Sequence, residues 1–72
     1  MSKPRLPRFS PGEYVYVLYS GNRYHSALVR DVRKTWTGKY KYLISYQEHN
    51  WDYDYSYDCI GWAPEKLLFQ QL

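Results

Sequence analysis

The sequence predicts a mainly β domain, a small curved barrel of four to five strands with a short C-terminal helix. Aromatic residues make up 21% of its 72 residues, and aromatic and β-branched residues are typical of strands. Short runs of such residues are separated by glycine-containing turns. Near the end, Pro64 is followed by Glu65, an order typical of the first turn of a helix. A chain of this length has room for one small domain.

The first three strands follow one another at short intervals. The first covers residues 14–19, and Ser20-Gly21-Asn22 predicts a tight turn before the second, at residues 24–33. The third covers residues 40–46, after a turn that contains Gly38. Strands joined by such short connections are expected to be antiparallel neighbours. In the third strand one face is predicted to carry Tyr40, Tyr42, Ile44 and Tyr46.

The remaining segments are predicted from composition. Residues 48–57 are polar, acidic and aromatic, and we interpret them as a long functional loop. Residues 59–62 form a short strand, and the C-terminal helix begins at Pro64. Residues 1–8 contain two prolines and three basic residues, which indicates a flexible basic arm. The folded domain is therefore expected to span residues 9–72.

Charge is distributed unevenly along the chain. Residues 23–41 contain six basic residues and one acid, Asp31. Residues 48–58 contain four acids and no lysine or arginine. One interpretation is a pair of solvated surfaces of opposite sign. The other is a basic face for polyanions and an acidic, aromatic-rich loop suited to a cation.

Several classes of function are not expected. Cys59 is the only cysteine, so no internal disulfide can form, and with His25 and His49 it would give an irregular metal-ligand spacing. We therefore expect no metal and no cofactor. Phosphate-loop, dinucleotide and nucleophile-elbow motifs are absent, so the chain is predicted not to be an enzyme and to have no catalytic residues. Without an apolar run of about 20 residues, no membrane partner is expected, and a reducing compartment fits best.

The aromatic residues near the predicted strand ends suggest a cation-binding cage. A methylated ammonium keeps its charge but loses hydrogen-bond donors, and several ring faces bind it well, at about 0.5–2 kcal/mol each. The strand ends would bring together Tyr19, Tyr24, Tyr46, His49 and Trp51. The alternative is that these rings pack in the core or across strands, and the sequence leaves both open.

Four segments, in this order and spacing, resemble the chromo-barrel domains of the MRG and male-specific-lethal type, and more loosely the tudor-knot domains of MYST acetyltransferases in the Royal superfamily. They are Phe9-x-x-Gly12-Glu13-x-Val15, Tyr24-His25-Ser26-Ala27-Leu28-Val29, Lys41-Tyr42-Leu43-Ile44-Ser45-Tyr46, and Trp62-Ala63-Pro64-Glu65 followed by Leu67-Leu68. The resemblance implies an SH3-like barrel with a terminal helix. It also implies binding of methylated lysine on histone tails through an aromatic cage, with DNA binding in some members.

The resemblance assigns the cage position by position. It corresponds to Tyr19, Tyr24, Tyr46 and His49, with Trp51 able to replace the tryptophan usual at the last position. The family's second cage residue precedes the alanine by two positions, whereas Tyr24 precedes Ala27 by three and His25 by two. Either Tyr24 or His25 therefore faces the pocket.

Three functions follow as hypotheses. The leading one is a nuclear chromatin-targeting module that binds a histone tail peptide as part of a larger chromatin-modifying complex. The alternative is a barrel without a functional cage that binds DNA or RNA, with Trp36 stacking on bases. Its contacts would be Arg30, Arg33, Lys34, Lys39 and Lys41, with Arg8 and the arm adding charge. The third is a protein-interaction barrel that uses its exposed rings.

Overall fold

The structure, a computed structural model, describes residues 6–71. Lys3 and Arg5 of the predicted arm, and the last residue Leu72, lie outside this range. Five strands form one antiparallel sheet: β1 (Tyr14–Ser20), β2 (Arg23–Lys34), β3 (Tyr40–Asn50), β4 (Tyr55–Pro64) and β5 (Leu68–Gln70). Their order across the sheet is β4-β3-β2-β1-β5. The predictions of a mainly β fold and of antiparallel neighbours are confirmed.

One face of the sheet, here called the inner face, carries the core. The buried side chains are Phe9, Val15, Val17, Ala27, Val29, Tyr42, Ile44, Ala63 and Leu68. They come from every strand, and Phe9 joins them from the segment before β1. Tyr40 and Tyr46 pack against this cluster, so the predicted alternation of β3 is confirmed. A shift in register between Val29 and Asp31 interrupts the β2–β3 pairing, and such bulges bend a sheet.

The predicted barrel closure is wrong, because the curved sheet stays open. Its edges are β4 and β5, which do not pair with each other in the described residues. β5 has only three residues and is hydrogen-bonded to β1, from Val15↔Gln70 to Val17↔Leu68. A strand of three residues has few backbone N–H and C=O groups with which to pair with β4 and close the sheet into a barrel.

The predicted C-terminal helix is also wrong. Pro64 is extended, with φ −72° and ψ 153°, and it ends β4. Glu65–Leu67 forms a single 3-10 turn, after which Leu68 is fully buried and begins β5. Because Leu68–Gln70 pair with β1 as a strand, they are not available to continue a helix from Pro64. In residues 6–71 no helix has the length and apolar character required to cross a membrane.

The predicted long loop at residues 48–57 is instead a β-hairpin. β3 continues to Asn50, residues 51–54 form the turn, and β4 begins at Tyr55. Ten consecutive cross-strand pairs, from Lys41↔Pro64 to Asn50↔Tyr55, join the two strands without a register shift. Tyrosine is well accepted in strands, and backbone pairing carries the hairpin beyond the core.

Candidate functional site

Strand alternation decides which of the predicted cage residues share a face. His25 is paired with Val17, and both lie on the inner face with the core. Tyr46, two residues after the buried Ile44, lies on that face as well. Tyr24, next to His25 in β2, therefore points to the opposite, outer face. Of the two residues left open by the sequence, His25 is the one that joins Tyr19 and Tyr46.

Three rings on the inner face form a stack. The centroids of Tyr19 and His25 are 4.0 Å apart with planes 24° from parallel. His25 and Tyr46 are 5.2 Å apart and 18° from parallel. Glu48 Oε1 lies 2.8 Å from His25 Nε2, but this solvent-shielded nitrogen makes no aligned hydrogen bond within the described residues. The stack thus places an acid at the edge of three ring systems.

A cavity of about 170 Å³ opens beside this stack. It is lined by Val17, Tyr19, Ile44, Tyr46 and the β4 segment Gly61-Trp62-Ala63. β1 and β4 are not neighbours in the sheet, so the curvature of the sheet brings residues of both strands to the cavity. Gly61 is opposite Ile44 and carries no side chain, and a Cβ there would meet nothing within 4 Å.

Two tyrosines next to Glu48 have raised pKa values. Burial raises the pKa of Tyr46, and the neighbouring Cys59 and Glu48 raise it further. The same three causes raise the pKa of Tyr57, which is paired with Glu48 on the adjacent strand. Neighbouring negative charge opposes a second anion and attracts a cation. The site combines neutral phenol rings with a carboxylate.

Tyr24 belongs to a different cluster on the outer face. Its ring packs edge-on against Phe69 at 5.5 Å between centroids. Together with Tyr16 these two rings line a shallow apolar groove. Tyr24 is half exposed, and the structure does not bring it to Tyr19 or Tyr46.

His49 and Trp51 lie near the turn of the β3–β4 hairpin, away from the stack. Their rings are 4.1 Å apart. His49 Nδ1 is 3.0 Å from Ser56 Oγ, and its Nε2 is 3.3 Å from Asp54. Alternation turns His49 to the outer face, opposite to Tyr46 and Glu48, so neither residue is brought into the inner-face site. Across residues 6–71, no group of three or more His, Cys, Asp and Glu side chains is placed to hold a metal ion.

Two of the predicted nucleic-acid contacts, Lys39 and Lys41, line an open groove of about 700 Å³, here called the basic groove. Its other charged and aromatic side chains are Arg8, Trp36, Tyr40, Trp62, Glu65 and Lys66. Lys41 Nζ lies 4.8 Å from the centre of the Trp62 ring. Trp36 is 96% exposed, so its ring is free to stack on a ligand.

The other three predicted contacts are not in this groove. Arg30 donates from Nε to Ser45 Oγ at 2.9 Å. Arg33 donates to Asp31 Oδ2 at 3.1 Å, and this bond, with the Val32 N–H, lowers the pKa of Asp31. Lys34 is exposed at the end of β2.

Sequence reasoning missed the participation of Trp62 and Lys66 in the basic groove. The sequence predicted a short strand that ends at Trp62 and a helix that begins at Pro64, and neither prediction points to a shared groove. The register of the β3–β4 hairpin accounts for this placement, because it pairs Lys41 with Pro64, which lies two residues from Trp62 and two residues from Lys66 in the sequence.

Comparisons of the chain with protein-family models, with curated proteins and with solved structures found no match.

Proposed function

We propose that this chain is a chromatin-targeting module that binds methylated lysine on a histone tail, with the ammonium group held in the inner-face cavity. Tyr19 and Tyr46 line this cavity together with the β4 segment at Gly61. His25 fixes the orientation of the two tyrosines by stacking between them. By the resemblance given above, the module acts in the nucleus within a larger chromatin-modifying complex.

The observation that carries this proposal is that two tyrosines, Tyr19 and Tyr46, line one small, open cavity, with Glu48 nearby in contact with His25. The cavity volume is about 170 Å³. In liquid water each molecule occupies about 30 Å³, so this volume is slightly larger than that of about five water molecules. A methylated ammonium fits such a space. It has few or no N–H donors, so it does not need hydrogen-bond acceptors in the cavity. Contact with ring faces contributes about 0.5–2 kcal/mol per ring.

Glu48 supports selectivity for a cation over a neutral side chain. Its carboxylate lies in contact with His25, and its charge contributes to the raised pKa of Tyr46. Burial is the largest cause of that shift, and the smaller contribution from the charge of Glu48 is the one that attracts an ammonium.

The test compares Tyr19→Ala with Tyr24→Ala. The two tyrosines flank the same turn and are 48% and 50% exposed, but they lie on opposite faces. Each variant is titrated by calorimetry with a trimethyl-lysine histone peptide and with its unmodified twin. We expect Tyr19→Ala to lose the preference for the methylated peptide and Tyr24→Ala to keep it. Equal binding of both peptides to the unsubstituted chain would overturn the proposal.

A second candidate function is nucleic-acid binding in the basic groove. The observation that favours it is the fully exposed Trp36 beside Lys39 and Lys41. Cations neutralise phosphates, and an exposed indole stacks on bases at about 1–3 kcal/mol each. The two sites share Trp62 and Ala63 of β4, whereas the tyrosines line only the inner-face cavity and the lysines only the basic groove, so one chain can have both activities.

Titration with short single-stranded and duplex oligonucleotides over a range of salt concentrations tests this candidate. We expect tryptophan fluorescence to be quenched, and the affinity to fall steeply with salt because counterions are released. Trp36→Ala should weaken single-strand binding, whereas Trp51→Ala, an exposed indole on the acidic hairpin, should not. A flat salt response would exclude a phosphate-based interface.

A further inference from the structure

The free edge of β4 is a long and unprotected strand edge. Within residues 6–71, β4 pairs with β3 on one side only, over ten residues and without a register shift. Proteins commonly protect such edges with lysine, proline or a bulge. β4 contains no lysine, and its only proline is its last residue. Its outward N–H and C=O groups are therefore available to a further strand.

The inner-face cavity is lined in part by β4. Residues Gly61-Trp62-Ala63 of β4 line it, together with Tyr19 and Tyr46. An extended segment paired with β4 would have side chains alternating between the two faces of the sheet. One of those directed to the inner face would reach the cavity, which sits between β4 and β1.

The charge of the hairpin selects the kind of segment. Between Tyr42 and Pro64 there are four acids, Glu48, Asp52, Asp54 and Asp58, and no lysine or arginine. A second copy of the same edge would bring like charges together, which is unfavourable. A lysine- and arginine-rich segment would instead complement the hairpin along its length.

We propose that β4 binds a basic, extended peptide segment as a sixth strand, with one lysine of that segment directed into the inner-face cavity. This mode of recognition obtains affinity from backbone hydrogen bonds and specificity from alternate side chains. It builds on the proposed function, because it states how the peptide bearing the methylated lysine is held. It also assigns the acidic hairpin a role as the contact for the flanking basic residues.

The experiment uses a lysine- and arginine-rich peptide with a central trimethyl-lysine, about twelve residues long so that it spans β4 at about 3.4 Å per residue. Its twins carry unmodified lysine at the centre, or N-methyl groups on alternate backbone amides in one or the other register. Affinity is measured by calorimetry, and amide hydrogen exchange of residues 55–63 by NMR. We expect exchange of alternate β4 amides to slow on binding. One of the two N-methylated peptides should bind about tenfold more weakly or worse, because it loses several ladder hydrogen bonds.

Asp58→Asn and Glu13→Gln form a matched pair for the charge contact. Both acids are exposed, but only Asp58 lies on β4. Asp58→Asn should weaken the peptide about twofold to fivefold, in the range of an exposed ion pair, and Glu13→Gln should leave it unchanged. Equal effects of the two substitutions would overturn the role given to the hairpin.

Three outcomes would overturn strand addition itself. They are unchanged β4 exchange on binding, equal affinity of all N-methylated peptides, and β4 protection that grows with protein concentration alone, which would indicate a second copy at the edge. The proposed function fails separately. If β4 is protected equally by the methylated and unmodified peptides, strand addition stands and methyl-lysine recognition does not.

Discussion

At the scale of single residues, Tyr42 combines complete burial with a polar network. Its side chain has no exposed surface, and its ring packs edge-on against Phe9 at 5.6 Å. The hydroxyl donates to Glu65 Oε2 at 2.6 Å and accepts from the Arg8 N–H at 3.0 Å. Buried polar groups are costly unless they are hydrogen-bonded. This one hydroxyl therefore joins the N-terminal segment, β3 and the 3-10 turn.

Tyr42→Phe should destabilise the domain by about 1–3 kcal/mol, because the buried Glu65 carboxylate loses a donor and the Arg8 N–H loses its acceptor. Urea unfolding at neutral pH measures the change. Tyr53→Phe, which removes a hydroxyl from an exposed ring in the hairpin turn, is the control and should have no effect. A Tyr42→Phe variant as stable as the unsubstituted chain would show that the network contributes no net stability.

Stability should also fall at alkaline pH through Tyr42. Burial, and then the hydrogen bond to Glu65, raise the pKa of Tyr42 to about 12, above the value of about 10 in an unfolded chain. The folded state favours the neutral phenol, so its contribution is fully present below about pH 10 and is lost as the pH rises towards about 12. Urea midpoints across this range should fall more steeply for the unsubstituted chain than for Tyr42→Phe. Parallel curves would contradict the assignment.

At the scale of elements, the β3–β4 hairpin depends on its turn. Residues 51–54 connect the strands, and the Asn50 Oδ1 atom accepts the backbone N–H groups of Asp52 and Tyr53. Asp54 closes the turn with a φ of 51°, a left-handed conformation that aspartate tolerates better than most residues. The turn thus starts β4 in register with β3.

Asp54→Val should destabilise the hairpin by about 1–2 kcal/mol, because a β-branched side chain is strained in the left-handed region. Asp54→Gly is the matched control, since it also removes the contact with His49 but accepts this φ freely. Hydrogen exchange of the β4 amides near Tyr55 and Tyr57 reports on the hairpin locally. Equal exchange in the two variants would mean that the φ of this residue does not limit the turn.

At the scale of the whole molecule, stability rests on few buried side chains. Only nine hydrophobic residues are buried among those described, and an open sheet of this size has a thin margin. Phe9 is 3% exposed and comes from outside the sheet to cover the inner face. The segment before β1 is therefore part of the folded domain at least from Phe9.

Phe9→Ala should cost about 3–5 kcal/mol, enough to unfold a large part of the population of so small a domain. Near-ultraviolet circular dichroism, which reports on packed aromatic rings, and thermal unfolding measure it. Leu6→Ala, three residues earlier and 79% exposed, should leave both unchanged. A native-like spectrum and melting temperature for Phe9→Ala would show that the sheet holds without this cover.

Local chemistry determined much of this protein. The first three strands, the turns at Gly21 and Gly38, and the buried face of β3 follow from strand propensity, left-handed glycines and the alternation of side chains, all readable along the chain. The expectation that strand ends meet at one rim, together with the family resemblance, predicted that Tyr19 and Tyr46 lie near one another.

Only the tertiary structure decided the rest. Residues 48–57 have no single apolar face, so their pairing depends on backbone register with β3 and not on a hydrophobic pattern. Pro64-Glu65 carries a helix signal, but pairing of Leu68–Gln70 with β1 and the bond from Tyr42 to Glu65 outweigh it. The choice of His25 over Tyr24 depended on its pairing with Val17. Register, edge pairing and burial depend on contacts between residues that are distant in the sequence, so a local sequence pattern does not predict them.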